Sequence, residues 1–152
     1  MKRPGHGMNS MNGNIFLDTN IVVYAFDASD EKKHKTAGRL LNDAFRSKDV
    51  AISTQVLKEF FVTVTKKIQR KMDLLGAKEI IKRLALLQVV ETTVPLVLRG
   101  IDIQRENRIS FWDAIIVAAA GASNCTTILS EDLSHDTIIE DIRIKNPFLP
   151  IP

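Results

Sequence analysis

Short, mainly apolar runs alternate along the chain with longer stretches in which apolar residues recur every three or four positions. The runs fall at 15–17 (Ile15, Phe16, Leu17), 50–53, 89–90, 127–129 and 142–144. Runs this short and continuous suit strands buried on both faces. Between them, Ala37, Leu40, Leu41, Ala44 and Phe45 keep a helical period that becomes clear from Thr36. Leu57, Phe60, Phe61, Val64 and Ile68 predict a third helix running through Ile68, and Ala77, Ile80, Ile81, Leu84 and Leu87 a fourth. Thr93 followed by Val94 and Pro95 marks another helix start, since Pro is tolerated in a first turn. Ser110 to Asp113 opens the apolar helix 114–122. A short helix capped by Asn20 is expected over 20–26, and the charged stretch 27–35 reads as a loop. Strands alternating with helices predict an α/β sandwich around a mainly parallel sheet.

Residues 1–13 hold no period and are rich in Gly, Asn and Ser. They read as a disordered leader, with Met8 and Met11 as alternative starts, before a single domain over 14–152. The 152 residues suffice for one real core, and 45% hydrophobic with 26% charged residues is ordinary globular composition. The longest apolar stretch is far short of the roughly 18 residues of a membrane span, so no membrane association is expected. A lone cysteine, Cys125, excludes an internal disulfide and cysteine-based metal frameworks, and a reducing cytoplasm is the expected location. The formal net charge of +3 is compatible with a polyanionic partner without demanding one.

The polar residues at the strand ends carry the candidate chemistry. Asp18 follows the run 15–17 directly, and Asp132 follows 127–129 by three residues. In parallel sheets ligands bind beyond the carboxyl ends of the strands, where the connections change direction, so both acids are expected at one crevice. Asp18 also suits a strand-to-helix turn, and Asp132, with Glu131 beside it, suits an ordinary loop. Glu59 sits at the edge of an apolar helical stripe, where a surface acid fits equally well. Asp113 stands three residues after Ser110, as a capping acid would, at the start of a nearly all-apolar helix. If the four converge, two carboxylates about 4 Å apart repel by roughly 4 kcal/mol at an effective dielectric near 20. Such a cluster takes up protons or binds a cation. Oxygen ligands without His or Cys select Mg²⁺ or Mn²⁺, the equipment of phosphodiester hydrolysis. No phosphate-binding glycine loop, dinucleotide fingerprint, zinc-protease motif or serine-hydrolase elbow is present in the sequence.

Leu17-Asp18-Thr19-Asn20, then Glu59 within Val56 to Phe60, then Phe111-Trp112-Asp113-Ala114, then Leu129-Ser130-Glu131-Asp132-Leu133 resemble the PIN domain. Order and spacing are similar to the VapC-type toxins of prokaryotic toxin–antitoxin pairs, from about Asn14 to the C-terminus. The resemblance implies a three-layer α/β/α sandwich with a mainly parallel five-stranded sheet, and a homodimer. It implies that Asp18, Glu59, Asp113 and Asp132 are catalytic and metal-binding, holding Mg²⁺ or Mn²⁺ for cleavage of single-stranded RNA. Asn20 and Ser130 would support the site, and a cognate antitoxin would be the protein partner. The leader and the adjacent Glu131 depart from the family pattern.

For the RNA itself, Glu59, Thr63, Lys66 and Arg70 are spaced to share one face of the third helix, with Lys67 and Lys71 beside them. Arg105 and Arg108 form a second basic patch. Either would contact phosphates, though a solvated helix face fits the same pattern. Tyr24, Phe26 and Trp112 are the aromatics to consider for base stacking, with Trp112 expected in the core. The expected function is a metal-dependent endoribonuclease, the toxin of a type II pair. Its alternatives are an RNA-binding module without catalysis, a housekeeping RNA-processing nuclease, and a phosphatase using Asp18 as nucleophile. The last usually has a second acid two residues on, where this chain has Asn20.

Overall fold

The apolar runs become strands, and the sheet they form sets the two outer helical layers. The computed structural model describes residues 14–150. The leader 1–13 lies outside the described residues. The strands are β1 (Asn14–Leu17), β2 (Val50–Ser53), β3 (Gln88–Val90), β4 (Cys125–Leu129), β5 (Ile138–Ile139) and β6 (Ile142–Lys145). The helices are α1 (Thr19–Tyr24), α2 (Glu31–Ser47), α3 (Thr54–Val62), α4 (Leu74–Leu84), α5 (Val94–Asn107) and α6 (Phe111–Ala122).

The sheet runs β3-β2-β1-β4-β6-β5, parallel throughout except for β5 against β6. It has six strands rather than five. The extra one, β5, is two residues long, and its turn to β6 puts Glu140 and Asp141 at positive φ of 51° and 62°. No period of two is visible in so short a strand. From β1 the chain steps one way to β2 and β3, then crosses back to place β4 on the other side of β1. Helices α1–α4 pack against one another and α5 packs on α6, giving the two outer layers. Phe16, Leu17, Ile21, Ile52, Phe60 and Ile128 are fully buried between them. Gly100 permits the close α5–α6 contact: a Cβ there would lie 2.4 Å from Ile115 Cδ1.

Three helix boundaries differ from expectation. Helix α1 is capped by Asp18 rather than Asn20. Asp18 has extended backbone angles and accepts the Thr19 N–H, whereas Asn20 lies inside the helix. Helix α2 begins at Glu31, within the stretch expected as a loop. Asp30 accepts the Lys33 N–H as its cap, and the all-polar first turn carries no apolar signal. Helix α3 stops at Val62, and Thr63–Lys67 form a π-helical turn before Ile68 turns extended. The Thr65 hydroxyl donates to the Phe61 carbonyl through this widened turn. The expected face of Glu59, Thr63, Lys66 and Arg70 is therefore not one α-helical stripe. Lys66 sits on the wider π turn and Arg70 beyond it.

Candidate active site

Strands β1 and β4 are neighbours whose connections leave in opposite directions, and Leu17 pairs with Leu129 at their carboxyl ends. This register puts Asp18 beside Ser130, and the Asp18 N–H donates to the Leu129 carbonyl at 3.0 Å. The Asp18 side chain is buried, against the ordinary cost of burying a carboxylate. It is met by two donors: the Thr19 N–H at 2.8 Å on Oδ1 and the Ser130 hydroxyl at 2.7 Å on Oδ2. Burial outweighs them, and with the negative charges of Asp132 and Glu59 it pushes the Asp18 carboxyl up from 3.8 to about 6.

Ser130 is also buried, and its oxygen accepts the N–H groups of Asp132 and Leu133 at 3.1 and 3.3 Å. One hydroxyl thus fixes both the buried acid and the loop carrying Asp132. Asn20 clamps the same loop from α1. Its amide NH₂ donates to Asp132 Oδ2 at 3.0 Å, and its carbonyl accepts the Glu131 N–H at 3.2 Å. Glu131 itself turns away. It accepts the Tyr24 hydroxyl at 3.0 Å and pairs with Lys33. Lys33 lies 5.0 Å from the Tyr24 ring centroid and 5.7 Å from that of Phe148. The sequence left Asp132 and Glu131 competing; the geometry puts Asp132 at the crevice and Glu131 in the Lys33 cluster.

Glu59 reaches the crevice from α3 and stays exposed. Thr19 Oγ1 donates to Glu59 Oε2 at 3.1 Å, and Gln55 Nε2 donates to Oε1 at 2.6 Å. Gln55 is buried and also donates to the Trp112 carbonyl at 3.3 Å, tying α3 to the start of α6. Neither Thr19 nor Gln55 was singled out in the sequence. The available signal for Gln55 was its position four residues before Glu59, on the same helical face. Asp113 stands in the first turn of α6. Its N–H donates to the Ser110 cap at 3.1 Å, and the residue lines a cleft of about 450 Å³ with Asp132 and Arg108. Ile109, Leu133, Ile138 and Ile139 give the cleft an apolar wall. Arg105 does not line it; it pairs with Asp102 at 3.5 Å.

Glu59 and Asp132 are thus each within electrostatic reach of Asp18, and Asp113 shares a cleft with Asp132. Among the described residues, no three His, Cys, Asp or Glu side chains are drawn tightly enough together to form a ready metal shell. Each carboxylate that meets Asp18 is held by neutral donors of its own. The donor chemistry nevertheless suits a hard cation: the crevice offers carboxylate, hydroxyl and amide oxygens, with no imidazole or thiolate. Trp112 departs from expectation. It is 67% exposed rather than packed in the core.

The PIN domain family profile matches residues 15–139. Among solved structures, VapC20 of Mycobacterium tuberculosis, a sarcin–ricin-loop-cleaving toxin, is similar at 24% identity. That match covers 78% of this chain and 90% of that one, with a TM-score of 0.62. A toxin–antitoxin complex from Klebsiella pneumoniae is similar at 19% identity, covering 88% and 98%, with a TM-score of 0.64. VapBC2 of Rickettsia felis, bound to a DNA fragment from its promoter, is similar at 20% identity, covering 87% and 97%, with a TM-score of 0.61. Curated proteins return no match to the chain.

Proposed function

The chain belongs to the PIN-domain family, and from that premise we propose that it is a Mg²⁺- or Mn²⁺-dependent endoribonuclease acting on single-stranded RNA. One observation carries this reading. A carboxyl, Asp18, is held buried at the carboxyl end of β1, where burial raises it above the usual carboxylate range and the nearby Asp132 and Glu59 add to that rise. A buried carboxyl with two further acids near it, and no His, Lys or Arg among the described residues acting on it, suits a cation.

Asp18, Glu59, Asp113 and Asp132 would hold the ion. Bound there, it supplies Lewis-acid polarisation of the phosphoryl oxygen and lowers the pKa of the attacking water. The chain's own groups do the positioning. Ser130 and the Thr19 N–H keep Asp18 facing the crevice, Asn20 aims Asp132, and Thr19 with Gln55 aims Glu59. Arg108, in the cleft beside Asp113 and Asp132, contacts the phosphate of an entering strand. Lys66 on the π turn and Arg70 beyond it, both exposed, add a salt-sensitive contribution past the end of α3.

The protein is further proposed to be the toxin of a toxin–antitoxin pair, working in the cytoplasm. The similar structures from Klebsiella and Rickettsia support an antitoxin partner, because each is a toxin–antitoxin assembly. Among the described residues no helix is long and apolar enough to cross a membrane. Val94, Leu98 and Ile101 form an exposed apolar row on α5 that suits a second copy of the chain.

The test is cleavage of single-stranded RNA with Mn²⁺ by the wild type and by Asp18→Asn and Asp113→Asn. Cleavage is expected to fall by orders of magnitude in both. Undiminished cleavage by both folded variants overturns the reading. Growth arrest on expressing the chain alone, relieved by the neighbouring gene, tests the toxin role.

A further inference from the structure

Trp112 occupies the second position of α6, between Phe111 and Asp113, and two thirds of it faces solvent. A Trp this exposed forgoes most of the stabilisation its burial would give, so its location asks for an occupant. Its placement is not loose. The buried Gln55 donates to the Trp112 carbonyl and, with the same amide, to Glu59, so the ring's backbone is tied to a carboxylate of the crevice. Phe111 meets the ring edge-on, with centroids 5.3 Å apart and planes at 72°. The indole is therefore a preset, exposed apolar surface on the residue next to Asp113, which lines the cleft. Arg108 stands on the cleft side of the same acid. Among the described residues it makes no ion pair with an acidic side chain.

We infer that Trp112 is a base-stacking platform that seats an unpaired nucleobase of the substrate next to the scissile phosphate. This rests on the ribonuclease reading above and deepens it. An indole stacks on any base, so the contact selects single-stranded over paired nucleic acid rather than one sequence over another. Duplex bases are already stacked on each other and offer the ring nothing.

Trp112 is the only tryptophan in the chain, so intrinsic fluorescence reports on this one ring. With metal removed by chelator to prevent cleavage, the wild-type protein is titrated with a single-stranded oligoribonucleotide. The controls are an abasic ribose–phosphate oligomer of the same length and an RNA duplex. Saturable quenching is expected with the single strand alone. In parallel, Trp112→Ala is expected to raise KM for single-stranded RNA about tenfold with little change in kcat, and Trp112→Phe to restore most of it. Quenching by the abasic oligomer equal to that by RNA overturns the inference. Wild-type KM in Trp112→Ala overturns it too, and leaves the nuclease reading standing. A Trp112→Ala defect accompanied by a smaller oligomer assigns the ring to an interface between copies and also overturns it. If the wild type neither binds nor cleaves RNA, the nuclease reading falls, and this inference with it.

Discussion

Asp18 performs two tasks with one carboxylate. As the cap of α1 it accepts the Thr19 N–H, and as the floor of the crevice it faces Ser130, Asp132 and Glu59. The pattern Leu17-Asp18-Thr19-Asn20 marked a strand-to-helix turn and made Asp18 a candidate site residue, but it gave the cap to Asn20, since Asp and Asn cap equally well. The burial of Asp18 then has a measurable consequence. The unfolded carboxyl titrates near its ordinary 3.8 and the folded one near about 6. Between those values the folded protein binds more protons than the unfolded chain, so stability falls as pH rises through the window and levels off above it. The loss for Asp18 is on the order of 3 kcal/mol. Urea unfolding in chelator between pH 4 and 8, compared with Asp18→Asn, should show the wild type losing ground to the variant as pH rises. Parallel curves would mean that Asp18 is ionised throughout. Residues with neutral side chains were less legible. Thr19 and Gln55 hold Glu59 in place, yet neither has a distinctive signature outside the fold.

Elements were legible where packing writes a period and obscure where it does not. β1, β2, β4, α4 and α6 follow from their apolar pattern, because each buries a face or is buried outright, whereas α5 was marked by Thr93 and Pro95 at its start. The start of α2 is polar all round, so only the Asp30 cap marks it. The π turn Thr63–Lys67 was equally hidden, since its residues suit an ordinary helix and only the widened ladder distinguishes it. Trp112 was misplaced for a related reason: it adjoins the apolar face of α6 in sequence, but at the helix start it points past the core. Between elements, Lys33 is the main connector near the crevice. Standing on α2, it pairs with Glu131 of the loop after β4, and it lies over the rings of Tyr24 from α1 and Phe148 from the C-terminal segment. Tyr24 and Phe148 themselves meet edge-on at 5.3 Å. Lys33→Met keeps the methylene packing and removes the charge. It should cost about 1 kcal/mol, and that cost should shrink at about 1 M salt. Because the loop released is the one carrying Asp132, Mn²⁺ affinity should weaken as well. Denaturation at two salt concentrations and a Mn²⁺ titration check the two parts separately. Unchanged Mn²⁺ affinity would mean that Asn20 and Ser130 hold the loop without Lys33.

At the scale of the whole molecule, the crossover from β3 back to β4 is what brings acids scattered in sequence to one end of the sheet. It seats β4 beside β1, and α6 and α3 then deliver Asp113 and Glu59 to the same sheet edge. The four acids come from four different parts of the fold, so a cation held among them would bind the folded chain and not the unfolded one. Mass action then ties metal affinity to global stability: an ion at about 100 times its Kd contributes about 2.7 kcal/mol. For a domain of this size that corresponds to a rise in Tm of roughly 5–10 °C. Mn²⁺ and Mg²⁺ should produce it, since the crevice offers only oxygen donors. The proton on Asp18 must leave before the carboxylate ligates, so the rise should be smaller near pH 5 than near pH 8. Asp18→Asn should abolish it at both. Thermal unfolding of the wild type and the variant, with and without the ion at both pH values, makes the comparison. An equal shift in Asp18→Asn would place the cation away from β1 and remove the physical basis for reading this crevice as a nuclease centre.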